Sequence, residues 1–180
     1  MSDGSGAMPA GEDAVRRPEP VILTITRLDV VEALVRRHRA TEPDGEPTLV
    51  IGQYLDQLDD LAADLHAPLI TGKTPVRERQ RLFDEFRSGE LRVLVVSKVA
   101  NFSIDLPQAR VAIQVSGTFG SRQEEAQRLG RVLRPKTDGA TAHFYTVVTR
   151  DTVDADFAAH RQRFLAEQGY AYRIMDAADL

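Results

Sequence analysis

The 180-residue chain has no cysteine, and lysine occurs only at Lys73, Lys98 and Lys136. Without cysteine there is no disulfide framework, cysteine-based zinc site, iron–sulfur cluster or thiol nucleophile. No apolar run approaches the roughly twenty residues of a membrane span. Residues 1–19 lack the basic-then-apolar order of a signal peptide, so a reducing, cytoplasmic setting is expected. There is no Gly-x-Ser-x-Gly elbow and no Ser–His–Asp grouping. His38, His66, His143 and His160 form no i, i+4 ligand pair and read as surface or satisfied histidines. Asp151, Asp154 and Asp156 read as acids near a helix start, so no metal site is expected. The basic complement is almost all arginine. A GC-rich genome accounts for that, and bidentate phosphate recognition is the functional alternative.

What is present fits one compact domain with a real core. Residues 1–20 are rich in Gly, Pro, Ser and charge and read as a disordered leader. Val30, Val31, Leu34 and Val35 predict a helix over Leu28–Arg39, followed by a polar loop, Thr41–Pro47. A regular alternation then begins. Strands are expected at Thr48–Ile51, Pro68–Ile70, Leu91–Val96, Val111–Val115 and Ala142–Val148. Helices are expected over Tyr54–Leu65, from an N-cap at Thr74 to Gly89, and from Ser121 to Pro135 with Glu124 completing a capping box. A polar, arginine-rich helix is expected over Thr152–Gln168, followed by Tyr170–Ile174; Tyr170 and Tyr172 suit packing or base stacking. Such alternation predicts an α/β fold, with a mostly parallel sheet covered on both faces and right-handed crossovers. Ligands should then collect at the carboxyl ends of the strands.

Two segments stand out. Ala67–Thr74 loosely matches a phosphate loop. However, helix precedes it, apolar Leu69-Ile70 lies inside it, and Pro75 biases Thr74 away from helical angles. It reads better as a strand end followed by a helix N-cap, whose free N–H groups could hold a backbone phosphate. The second segment is Gly120–Arg134. On a helix, Gln127, Arg131 and Arg134 share one face opposite Ala126, Leu129, Val132 and Leu133. Gly130 suits a close backbone or ligand approach. Two arginines one turn apart suit a triphosphate, and a solvated amphipathic face is the alternative. The segment Ser121–Lys136 carries +3 within a total of −4, which leaves −7 on the remainder. An acidic average therefore still allows a local basic surface.

Gln127–Arg134 resembles motif VI (Q-x-x-G-R-x-x-R) of superfamily 2 helicases. Ser97–Pro107 resembles motif V, Leu49–Leu58 motif IV, and Thr71-Gly72 with Glu78-Arg79 and Phe86-Arg87 the segment between them. Within that superfamily the chain is similar to the XPB/Rad25 family in its bacterial form. The carriers are Ser97-Lys98-Val99, Asp105-Leu106-Pro107, Ile113–Ser116, Gly120-Ser121-Arg122, Glu125–Arg134 and the tail Ala159–Leu165 with Gln168-Gly169-Tyr170. The resemblance covers roughly Pro47–Met175. Phe102 and Ser103 depart from the Arg-Gly that many superfamily members place before the motif V aspartate.

The resemblance implies a RecA-like three-layer sandwich of the phosphate-loop NTPase type, as the C-terminal lobe of a two-lobed motor. It divides the chain into a leader (1–20), a lobe-joining helix and loop (21–46), the RecA-like domain (47–150) and a helical tail (151–180). The implied function is the second lobe of an ATP-dependent 3′–5′ DNA helicase or translocase. The phosphate loop and the Asp-Glu box would come from a first lobe, so ATP with Mg2+ would be shared. Arg134 would be the arginine finger, Arg131 would face the γ-phosphate, and Gln127 would orient water or a phosphate oxygen. Asp105 and Gly130 complete the expected nucleotide contacts. Ser97, Lys98, Thr71 and Gly72 are the expected contacts to single-stranded or forked DNA. The other class of function weighed is a non-catalytic module that binds DNA or a partner.

Overall fold

The computed structural model describes residues 20–24, 28–41, 45–97, 109–115, 142–148, 173–176 and 180. Seven strands and three helices follow in chain order among them: β1 Pro20–Thr24, α1 Leu28–Arg39, β2 Thr48–Gly52, α2 Leu55–Asp64, β3 Leu69–Ile70, α3 Val76–Ser88, β4 Val93–Ser97, β5 Val111–Gln114, β6 His143–Val148 and β7 Arg173–Asp176. They form one sheet in the order β3-β4-β2-β5-β6-β1-β7. Every pairing is parallel.

The strands at the centre are mostly apolar and buried along their whole length because both faces are covered. Val50, Val93, Val95, Val111 and Ile113 pack with Val30, Val31, Leu34 and Val35 of α1 and Leu58 and Leu61 of α2. Leu49, Ile51, Ile70, Leu94 and Val96 pack with Leu82, Phe83 and Phe86 of α3 on the other face. The steps from β1 to β2 and from β2 to β3 run toward the same end of the sheet, whereas β3 to β4 runs back. Crossovers of one hand place α1 and α2 on one face and α3 on the other, as observed. Each fully buried aliphatic side chain contributes about 1.5–3 kcal/mol to this arrangement.

Helix boundaries follow local chemistry. Helix α1 spans the predicted residues, and α2 is one residue shorter at each end, with Tyr54 and Leu65 as its caps. Its end is a Schellman turn: Ala67 N–H donates to Ala62 O and His66 N–H to Ala63 O. His66 takes the left-handed conformation there, at φ 51°. Helix α3 ends at Gly89, φ 84°, where glycine adopts that conformation without strain. Its start differs from expectation, because the N-cap is Pro75 and not Thr74. The Thr74 hydroxyl accepts the N–H of Thr71 instead, and the first helical bond runs from Arg79 N–H to Pro75 O. Proline loses nothing at that position, where no intrahelical N–H bond exists.

The outer part of the sheet departs further from the sequence reading. Strand β1 begins on the last leader residue and occupies the start of the expected joining segment. It lies between β6 and β7, with Ile22 opposite both Thr146 and Ile174. Strand β7 begins within Tyr170–Ile174 and runs past it. The sheet therefore takes in strands from both sides of residues 47–150. Their partners are about 120 to 150 residues apart in sequence, so local pattern carries little of the signal.

At the amino ends of the strands the polar groups are closed in. Gly45, at φ 76°, turns the chain after α1, and its N–H donates to Thr41 O at 2.7 Å. That turn sets Glu46 under His38. His38 is 5 % exposed, with Nδ1 2.5 Å from Glu46 Oε2 and Nε2 2.7 Å from the Tyr145 hydroxyl. The His143 ring lies 5.1 Å from that of His38. Pro47 O accepts the N–H groups of Arg110 and Val111, and Arg92 O accepts that of Thr48.

Candidate nucleic-acid interface at the carboxyl edge

Strands β2, β3, β4 and β5 end at Gly52, Ile70, Ser97 and Gln114. The connection from β2 leaves toward β3, while β5, its neighbour on the other side, is followed in the sheet by β6. Connections diverging from adjacent strands leave a crevice at the carboxyl ends, the usual ligand position of such sheets. Gly52 lies in that divergence. A β-carbon on it would stand 2.7 Å from Leu58 Cδ2 and 2.9 Å from Val115 Cγ2. Any larger residue there would have to displace the buried Leu58 and Val115 side chains.

Register brings the expected DNA-contact residues together. Gly52 is opposite Ser97, and Ile70 is opposite Val96, so Thr71 and Gly72 emerge beside the end of β4. Ser97 is 3 % exposed, whereas Gly72 and Lys73 are open to solvent. The turn 71–74 is held from within. Thr71 N–H donates to Thr74 Oγ1 at 2.9 Å, Lys73 N–H to Thr71 Oγ1 at 3.2 Å, and Thr74 N–H to Thr71 O at 3.2 Å. The N–H of Gly72 has no acceptor among the described residues. Helix α3 follows at once and has no side-chain cap, so its first N–H groups are also open. Strand β3 occupies the middle of the phosphate-loop lookalike, and a helix precedes it, as read from the sequence.

Three large apolar side chains are exposed among the described residues: Tyr54 at 52 %, Leu55 at 42 % and Val76 at 80 %. All three stand at helix starts on this edge. Arg79, within the Glu78-Arg79 pair that carries part of the resemblance, donates from Nη2 to Thr74 O at 3.1 Å. The sequence signal for it is an arginine in the first turn of the helix that follows the turn. Lys98, Asp105, Gln127, Gly130, Arg131 and Arg134 lie outside the described residues, as do the helices expected over 121–135 and 152–168. No group of three His, Cys, Asp or Glu able to hold a metal occurs among the described residues. No described helix is long and apolar enough to cross a membrane.

The family model described as ERCC3/RAD25/XPB C-terminal helicase matches residues 12–179. A protein of Kineococcus radiotolerans named DNA 3'-5' helicase XPB is 73 % identical over 157 residues, 87 % of this chain and 27 % of the relative. The Mycobacterium tuberculosis protein of the same name is 61 % identical over the whole chain and 32 % of the relative. A Saccharomyces cerevisiae general transcription and DNA repair factor IIH helicase/translocase subunit, XPB/SSL2, is 36 % identical over 91 % of this chain and 20 % of its own length. The chain thus spans a third or less of these curated relatives. Among solved structures, S. cerevisiae Dbp5 bound to RNA and ADP BeF3 matches with a TM-score of 0.73 at 16 % identity, over 91 % of this chain and 42 % of that one. The C-terminal domain of Dbp5 alone matches at 0.69 and 14 % identity, over 92 % and 93 %. These likenesses establish the fold as that of a RecA-like helicase C-terminal domain.

Proposed function

The chain belongs to the ERCC3/RAD25/XPB C-terminal helicase family, and on that premise we propose that it serves as the second motor lobe of an ATP-dependent 3′–5′ DNA helicase or translocase. The observation that carries the DNA part is the turn 71–74. Its own bonds use the N–H groups of Thr71, Lys73 and Thr74 and leave that of Gly72 without an acceptor among the described residues. With the uncapped start of α3 beside it, the edge offers a row of backbone donors to a strand phosphate. Neutral donors of this kind fix the position of a strand without reading its sequence. Lys73, exposed on the same turn, adds charge, with Ser97 and Lys98 the remaining expected contacts.

The ATP part rests on motif VI. Arg131 and Arg134 would face the γ-phosphate of an ATP–Mg2+ held by a first lobe, with Arg134 as the finger. Gln127 would orient the attacking water, and Asp105 and Gly130 would border the nucleotide. A finger of this type contributes about 10³–10⁵ in rate in related NTPases. Closing the two lobes on ATP and reopening them after hydrolysis would step the strand along the carboxyl edge.

The test joins this chain to its cognate first lobe and measures DNA-stimulated ATP hydrolysis. The joined protein should turn over, and Arg134→Ala should abolish turnover while the circular dichroism spectrum stays unchanged. Normal turnover in Arg134→Ala overturns the motor assignment. Salt-dependent binding of single-stranded DNA without any ATPase in the joined protein would establish the non-catalytic module instead.

A further inference from the structure

We propose that Arg79 is a positioning residue for DNA, holding the turn 71–74 in the shape that turns the Gly72 N–H outward. The proposal rests on the reading of that turn as a strand contact. Arg79 is on the first turn of α3, and its backbone N–H opens the helix by donating to Pro75 O at 2.9 Å. Its side chain runs back toward the N-terminus, where Nη2 donates to Thr74 O at 3.1 Å. One residue thus bonds to both Thr74 and Pro75, the two residues linking turn to helix. Because the internal bonds of the turn join only Thr71, Lys73 and Thr74 to one another, Arg79 is what ties their orientation to the helix.

The buried end of the side chain fixes the role further. Arg79 Nε is buried and has no acceptor among the described residues. A guanidinium that spends an Nη2 N–H on a neutral carbonyl while its Nε is shut from solvent has fewer donors left for a bidentate phosphate clamp. Its use is geometric. Leaving a buried N–H unbonded is unfavourable, so this placement of Arg79 carries a stability cost. That combination separates it from Arg77 and Arg81, which are exposed on the same helix, the latter paired with Glu78 and Glu85.

The experiment uses the full chain with Arg79→Met and Arg79→Lys. Methionine fills similar space without a donor and removes the unbonded Nε, so the melting temperature should hold or rise. Amide exchange at Lys73 and Thr74 should quicken about tenfold in Arg79→Met, as a locally loosened turn requires. Affinity for a single-stranded oligonucleotide should fall about tenfold, the order of one hydrogen bond to a charged group. The slope of log affinity against log salt should not change, because the lost contact is made by neutral backbone. Arg79→Lys, which keeps one donor, should recover part of both effects. Unchanged exchange at Lys73 and Thr74 overturns the proposal. A slope reduced by about 0.7, one phosphate's worth on a single strand, also overturns it by making Arg79 a direct contact. Faster exchange with unchanged DNA affinity leaves Arg79 holding the turn and overturns the reading of that turn as a DNA contact.

Discussion

The two ends of the parallel sheet are built in opposite ways. At the amino end, His38 bonds to both Glu46 and Tyr145, and the carbonyls of Pro47, Arg92 and Arg110 accept the backbone N–H groups of neighbouring segments. Helix α2 closes there in a Schellman turn. At the carboxyl end, helix α3 starts without a side-chain cap, the Gly72 N–H has no acceptor among the described residues, and Tyr54, Leu55 and Val76 stand in solvent. The contrast follows from fold physics. Every α/β unit must return its chain at both ends, and only one end needs to stay open for a ligand. Polar groups that are satisfied internally stabilise the fold, and those left open are available to bind.

The comparison breaks most visibly at His38. His38→Ala strands the Glu46 carboxylate and the Tyr145 hydroxyl in a buried place and should cost about 3 kcal/mol in urea unfolding. Affinity of the folded protein for single-stranded DNA should not change. Next comes Gly52→Ala, which drives a methyl group into buried Leu58 and Val115 and should cost about 1–3 kcal/mol. That result would show that the open edge is firmly packed beneath its free donors.

A pH series sharpens the amino end. Burial first, then the charge of His38, hold the His143 imidazole below its ordinary value. The unfolded chain therefore binds the proton more readily, and stability should fall as pH drops below about 6.5. Burial raises the Tyr145 phenol above its ordinary value. The unfolded chain releases that proton first, so stability should also fall as pH rises above about 10. His143→Gln should flatten the acid limb in thermal melts across pH; an unaltered limb would assign it to other groups. The smallest effect is a gain. His66→Gly removes a side chain from the left-handed position that ends α2 and should stabilise by about 0.5–1 kcal/mol, read by the same urea titration.

Most of the alternation was legible because burial on both faces writes unbroken apolar runs, such as Leu94-Val95-Val96, between helices of clear period. The failure of the phosphate-loop lookalike was legible too, since Leu69-Ile70 has the pattern of a strand. Strand β1 was not, because a five-residue segment beside a Pro- and Gly-rich stretch owes its form to partners far along the chain. The Thr74 cap was missed because its hydroxyl is taken by Thr71, a choice between two local bonds that the sequence does not decide. Thr71 and Gly72 were expected as DNA contacts from the family resemblance, and register sets them beside the end of the strand that carries Ser97. Arg79 has only a weak signal, an arginine in the first turn of the helix after that turn, and its bond to Thr74 O is what singles it out. The His38–Glu46–Tyr145 cluster, joined across 107 residues, has no local signal at all.

Of the two ends of the sheet, the carboxyl edge is the one proposed to bind DNA and the amino edge is the closed one. Titrating the 15N-labelled chain with a single-stranded oligonucleotide tests it most directly. The Gly72 and Lys73 amide resonances should shift progressively with DNA, while those of Glu46, Thr48 and His143 stay in place. Shifts confined to the amino edge, with Gly72 and Lys73 unmoved at saturation, would contradict it.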